Sequence, residues 1–304
     1  MQVFHGFHEA ASQIPPLVYA IGNFDGVHLG HVSLLLRARE IATIHGVDYG
    51  VFTFWPHPRA VLRPSSSLQL ITTREQKMRR FEELGVKYVV EQPFTMEFAV
   101  LSGNAFCKDV LALSLKAEAV VTGENFHFGH HAAGTAQKMA EWLNPYGIEH
   151  ALTPSIFVNG ELCSSSRIRD AVLHGKIESA NAMLGRHYSL VGNVVKGAGR
   201  GKSIGVPTAN LKAALTLIPA GGVYATTVRI GDKEFNALTN IGTRPTFSDC
   251  DAIHIETHLL DFDQEIYGAQ MEIFFLKKIR DEKHFASIEE LKKQIQDDIY
   301  AARK

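Results

Sequence analysis

The chain has 304 residues, 45% of them hydrophobic and 21% charged, with a formal net charge of −1. That length suits two domains of roughly 150 residues each, and near-neutrality excludes a global field for a polyanion, so any phosphate must be held locally. Three scattered cysteines, Cys107, Cys163 and Cys250, form no CxxC pair and so argue against a disulfide framework or a cysteine zinc site.

The opening residues lack a basic n-region and a continuous apolar stretch, and no later apolar run approaches the ~20 residues that span a bilayer. A soluble, cytoplasmic protein with no membrane partner is expected. From residue 17 to about 153, β-rich runs at 17–22, 48–54, 87–90 and 117–123 are each followed by a helical pattern, at 29–46, 73–85, 104–114 and 134–147. Alternation of this kind predicts βαβ units and a parallel sheet covered by helices. The stretch 171–185 reads as two short helices. After Gly185 the texture changes to β-branched and aromatic runs at 187–195, 221–231, 233–242, 252–262 and 269–280, which predict an antiparallel barrel. Ile288, Leu291, Ile295 and Ile299 then recur at helical spacing behind Ser287, a suitable N-cap for a closing helix. The expected division is 1–185 and 186–304.

Chemistry concentrates in a few segments. In GNFDGVHLGH, 22–31, a strand runs through a Gly/Asn/Asp turn into a helix whose free N–H groups point to the mouth of the sheet. His28 and His31 lie on one side of its first turn, and Gly30 leaves a nucleotide room to approach. Such a site suits displacement at the α-phosphate of a nucleoside triphosphate, where growing charge needs positioned donors rather than a protein nucleophile. Taken alone, the four-residue HxGH pattern equally suits a capping turn or a metal pair. GENFHFGHH, 123–131, follows another strand to the same carboxyl edge, and SSSRIRDAV, 164–172, opens a helix with three serines and two arginines. His127, His130 and His131 read as solvated loop histidines rather than metal ligands. FTFWPHPRAVL, 52–62, offers an aromatic, proline-stiffened rim for a flat ring, or an ordinary strand-end turn.

The second half has its own cluster. KGAGRGKSIGVPTANL, 196–211, is a glycine-rich run with Arg200 and Lys202 that stiffens at Pro207. Its amides suit phosphate, and the Thr208 and Asn210 oxygens suit a hard cation such as Mg2+. LTNIGTRPTF, 238–247, is a polar turn containing Asn240. On strict alternation over 252–262, Ile253, Ile255, Thr257 and Leu259 share one face and His254, Glu256 and His258 the other. Glu256 there is either solvent-facing or a general base for an alcohol attacking ATP.

GNFDGVHLGH, GENFHFG and SSSRIR together resemble the signatures of the adenylyltransferase module of the bacterial bifunctional riboflavin kinase/FAD synthetases, and PTAN with the barrel pattern resembles their kinase module. The resemblance implies a Rossmann-like HxGH nucleotidyltransferase domain followed by a riboflavin kinase-like barrel. It implies that Gly22, Phe24, His28, Gly30, His31, Asn125, Ser164, Arg167 and Arg169 hold ATP in the first site, with FMN against Asn23, Phe54, Pro56 and Pro58. In the second, Gly201, Lys202, Gly205, Pro207, Thr208 and Asn210 bind ATP and its phosphates, Thr208 and Asn210 also bind Mg2+, Asn240 borders the site and Glu256 activates the riboflavin 5′-hydroxyl. Riboflavin, FMN, ATP and FAD are the implied partners, with homo-oligomerisation left open. Ser166 stands where many members carry threonine, keeping the hydroxyl. Lys202 stands where many carry arginine, and an ammonium does not replace a forked guanidinium contact. Two other readings are an adenylyltransferase with a pantetheine or nicotinamide phosphate as acceptor, which the attached barrel argues against, and a flavin-binding regulatory protein without turnover. No basic helix suits a DNA groove, so no nucleic-acid partner is expected.

Overall fold

The structure, a computed structural model, describes residues 1–65, 68–197, 205–244 and 252–303. Two compact units divide the chain: Met1–Leu68 with Arg74–Cys163, and Gln69–Thr73 with Ser164–Lys304.

The first unit is built on strands β1 (Gln2–Phe4), β2 (Val18–Ile21), β3 (Tyr49–Trp55), β4 (Tyr88–Pro93), β5 (Ala119–Gly123) and β6 (Glu149–Thr153). All are parallel, in the order β1-β4-β3-β2-β5-β6. Both faces are covered, so the central strands are apolar without alternation, as in Val18–Ile21, whose four residues are all buried. Val18 and Ala20 pack on one side with Leu34, Leu35, Ala38 and Ile41, while Tyr19 and Ile21 pack on the other with Phe52, Phe54 and Phe106.

The first four helices of this unit are α1 (Phe7–Ala11), α2 (Leu29–His45), α3 (Pro58–Leu62) and α4 (Arg74–Glu83). α2 buries Leu34, Leu35, Ala38, Ile41 and Ala42, an apolar stripe at helical spacing, and ends where Gly46 turns left-handed with φ 68°. β2 is flanked by β3 on one side and β5 on the other. That reversal of strand order makes the carboxyl ends of β2 and β5 the place where an open α/β sheet presents a ligand crevice.

The second unit follows a small hairpin, β7 (Phe157–Val158) with β8 (Glu161–Leu162), that closes the first. It begins with helices Ser165–Leu173 and Ile177–Leu184. β9 (Tyr188–Val195), β10 (Ala209–Ala213), β11 (Gly222–Ile230), β12 (Lys233–Arg244), β13 (Ala252–Leu259) and β14 (Gln270–Arg280) form a closed antiparallel barrel in the order β10-β13-β12-β11-β14-β9. Closure leaves no unpaired edge. Inside, Thr226, Thr239 and Thr257 are fully or nearly fully buried and linked hydroxyl to hydroxyl at 3.0 Å and 3.0 Å. Such a ladder satisfies polar groups that would otherwise be costly in a core.

The expected parallel α/β half, antiparallel barrel and closing helix are all present. The C-terminal helix Ile288–Ala302 is capped by Ser287, which accepts from Glu290 N at 3.1 Å. Its docking differs from the apolar stripe expected: Ile288 is exposed and Leu291, Ile295 and Ile299 are only half-buried, whereas Asp298 is buried. The Arg280 guanidinium, on β14, donates to both Asp298 oxygens, at 2.8 Å through NH2 and 3.1 Å through Nε.

Candidate functional site

In the first unit, β2 delivers the chain into a turn with three left-handed residues, Phe24 (φ 55°), Gly26 (φ 83°) and Val27 (φ 37°). Only glycine adopts this region freely, so the turn is held by its surroundings. It ends at His28, the N-cap of α2, which makes no side-chain cap bond; its ring instead stacks on His31 with centroids 3.7 Å apart. The Phe24 ring lies 5.0 Å from His31. Gly30 has a reason of its own to lack a side chain, since a Cβ there would stand 3.1 Å from the His28 ring. His28 is buried and His31 half-buried, so the pair is a fixed wall at the amino end of α2 rather than two loose side chains.

Cys163 backs this wall, its Sγ lying 3.6 Å from His28 Nδ1. Burial pushes its thiol up, opposed in part by the amides of Gly30 and Leu29. No local sequence signal marks Cys163, because 135 residues separate it from His28. After β5, Asn125 is exposed and donates weakly to Ser155 Oγ at 3.5 Å, while Glu124 Oε2 accepts from Ser155 N at 3.1 Å. This pins the 123–131 loop to the segment after β6. Because β2 and β5 are adjacent, His28, His31 and the Asn125 loop follow neighbouring strand ends.

The rim after β3 is more divided than its sequence suggests. Phe54 is buried in an aromatic cluster with Phe52 and Phe94, at centroid distances of 5.5 Å and 5.7 Å. Trp55 and Pro56 are exposed, Pro58 is half-buried at the start of α3, and His57 caps that helix by accepting from Arg59 N at 3.1 Å. Asn23 is exposed, and its carbonyl accepts from the Thr53 hydroxyl at 3.3 Å.

Ser164, Arg167 and Arg169 belong to the second unit. Ser164 caps helix Ser165–Leu173 by accepting from Arg167 N at 3.4 Å; Arg167 is exposed, and Arg169 donates to Gln69 O at 3.1 Å. Among the described residues no group of three or more His, Cys, Asp or Glu is arranged to hold a metal.

In the barrel, register does what sequence alone could not. Asn210 on β10 pairs with Glu256 on β13, and Glu256 pairs with Asn240 on β12. Paired residues share a face, so these three polar side chains form one row across three strands, opposite in pleat to Thr257 and Thr239. All three are half-buried. Thr208 is half-buried just before β10, and Pro207 O accepts from His258 Nδ1 at 2.8 Å. Gly197 lies so close to the row that a Cβ on it would stand 2.1 Å from Asn210 Nδ2. Gly205 is left-handed, with φ 83°. Arg200, Gly201 and Lys202, and residues 245–247 of the polar turn, lie outside the described residues.

Residues 11–167 match the family model for FAD synthetase and residues 184–304 that for riboflavin kinase. A bifunctional riboflavin kinase/FMN adenylyltransferase of Bacillus subtilis is 36% identical over 98% of this chain and 95% of its own length. The Escherichia coli K12 protein of that name is 34% identical over 100% of this chain and 97% of its own length. A solved structure described as a macrolide-efflux protein from Streptococcus pneumoniae is 29% identical, with a TM-score of 0.92 over 100% of this chain and 99% of that one. Among the described residues of this chain, no helix is long and apolar enough to cross a membrane. With matching models on both halves, in this order and over nearly its whole length, the chain belongs to the bifunctional riboflavin kinase/FMN adenylyltransferase family.

Proposed function

We propose that the two clusters are the two active sites of this bifunctional enzyme: the Asn210–Glu256–Asn240 row phosphorylates riboflavin, and the His28–His31 wall adenylylates the resulting FMN. The reading rests above all on the row, which gathers the family's PTAN segment, the candidate base and Asn240 from three strands onto one face.

In the kinase step Glu256 takes the proton of the riboflavin 5′-hydroxyl as its oxygen attacks the γ-phosphorus of ATP, and ADP leaves. The Thr208 hydroxyl and Asn210 carboxamide are hard oxygen donors on half-buried residues, Asn210 lying against Gly197, and they suit Mg2+, which keeps several waters and shares substrate phosphates. When bound, Mg2+ supplies neutralising charge at the phosphates. In the adenylyl step a phosphate oxygen of FMN attacks the α-phosphorus of ATP and pyrophosphate leaves. His28, His31 and the amides at the start of α2 stabilise the added charge on the non-bridging oxygens, with Asn125 from the neighbouring strand end. The family's SSSRIR motif assigns further phosphate contacts to Ser164, Arg167 and Arg169, and the exposed Trp55–Pro56 rim, backed by Phe54, borders the flavin. The functional division is 1–185 and 186–304, in the cytoplasm where ATP and riboflavin meet.

The test follows riboflavin, FMN and FAD by chromatography with ATP and Mg2+, starting from riboflavin for the kinase and from supplied FMN for the adenylyltransferase. His31→Ala is expected to lower FAD formation by roughly a hundredfold or more while leaving FMN formation intact, and Glu256→Gln to do the reverse. Loss of both activities in either variant, with the protein still folded, would refute separate sites.

A further inference from the structure

We infer that Lys77 is a positioning residue for adenylyl transfer, holding through Thr53 and Asp25 the strained turn that sets His28 and His31. This rests on the assignment of the His28–His31 wall to that reaction.

Lys77 lies on α4 and is only 5% exposed. Lysine is almost never buried so deeply unless something requires its charge there. Its Nζ donates to Thr53 Oγ1 at 3.5 Å, and that fully buried hydroxyl donates onward to Asn23 O, inside the turn, at 3.3 Å. The ammonium also lies 5.7 Å from the centre of the Trp55 ring. Two buried carboxylates attract it, Glu91 of β4 and Asp25 of the turn, while Arg74, on its own helix, repels it. Glu91 itself is held by Arg74 at 2.6 Å and faces His5 Nδ1 at 4.0 Å. One ammonium thus faces groups at the carboxyl ends of β2, β3 and β4.

The same helix meets the turn a second time. Phe81 packs edge-on against Phe24 at 5.3 Å, and Phe24 in turn lies against His31. Left-handed Phe24 and Val27 persist only where neighbours over-determine them, and α4 supplies an apolar clamp through Phe81 and a charged one through Lys77. An apolar side chain would fill the same space without burying a charge, but it would release the Thr53 hydroxyl and remove one positive charge that attracts Asp25. Burial brings the Lys77 pKa down from 10.5 to about 8. The turn is therefore held by a charge at neutral pH and loses that charge as pH rises through about 8.

The test uses the full-length enzyme with FMN and ATP supplied, and riboflavin phosphorylation by the same sample as internal control. Lys77→Met should lower the kcat of FAD formation by about tenfold to a hundredfold, the cost of misplacing reacting groups by about an ångström, with a much smaller change in the KM for ATP. The wild-type kcat/KM, which reports the free enzyme, should fall with one-proton steepness above pH 8, and Lys77→Met should lack that limb. Lys77→Arg, which stays charged, should keep its activity to higher pH. If Lys77→Met does not fold, the wild-type and Lys77→Arg profiles decide the question. A wild-type profile flat from pH 7 to about 9.5, or a limb near pH 8 that either variant retains, would overturn the inference. Wild-type kcat in Lys77→Met would do the same. His31→Ala, run alongside, separates the two readings, since FAD formation surviving that change would refute the site itself rather than the role of Lys77.

Discussion

At the residue scale, the kinase row depends on a glycine the motif does not emphasise. Gly197 lies under Asn210, and an added methyl would meet the end of a movable side chain rather than backbone, since its nearest neighbours are Asn210 Nδ2 at 2.1 Å and Cγ at 2.5 Å. The fold should therefore survive Gly197→Ala while Asn210 swings out of the row. We expect riboflavin phosphorylation to fall about tenfold or more with FAD formation from supplied FMN unchanged, read by the same chromatographic assay. Unaltered kinase turnover would show that Asn210 need not stay in register. The residues legible in sequence, His28, His31, Asn125, Thr208 and Asn210, are those whose roles are written in short contiguous motifs. Lys77, Thr53 and Cys163 were not, because each reaches the turn or His28 only through tertiary packing. Phe54 was read as part of an open rim, yet it is buried, because Phe52, Phe94 and Phe98 pack around its ring.

At the element scale, the C-terminal helix is fastened to the barrel by a charge. Asp298 is 3% exposed and receives three bonds from Arg280 and a fourth from Gln294 at 3.0 Å. Removing one member of such a pair strands the other, so Asp298→Ala should cost about 3 kcal/mol of stability, measured by urea denaturation. A cost below roughly 1 kcal/mol, typical of exposed pairs, would mean that the half-buried Leu291, Ile295 and Ile299 dock the helix by themselves. The helix was legible from its apolar spacing and its serine cap, but its anchor was not, since an aspartate in an amphipathic pattern reads as the solvent face. Strands β2 to β5 were legible because buried parallel strands are near-continuous apolar runs. β1, three residues at the sheet edge, and β6, where Glu149 and His150 interrupt the run, carry no such signal. β10 was read as the stiffened end of a glycine-rich loop, and pairing with β9 and β13 makes it a strand.

At the scale of the whole molecule, two chemistries are joined by one covalent chain and one shared compound: FMN is the product of the first step and the substrate of the second. Each unit has its own core, the sheet packed on both faces in one and the closed barrel in the other, so each site should work when the other is disabled. The formal net charge of −1 provides no strong attraction to retain anionic FMN on the protein between steps. FMN released by one molecule should therefore be captured by another. Mixing His31→Ala, which keeps the kinase, with Glu256→Gln, which keeps the adenylyltransferase, should restore conversion of riboflavin to FAD that neither variant performs alone. FAD should appear after a lag that shortens as total protein is raised, because both FMN production and its capture scale with enzyme concentration. If no FAD forms because the FMN stays on the His31→Ala protein that made it, while the Glu256→Gln protein still converts added FMN, then in the intact enzyme FMN would have to reach the second site without leaving the molecule.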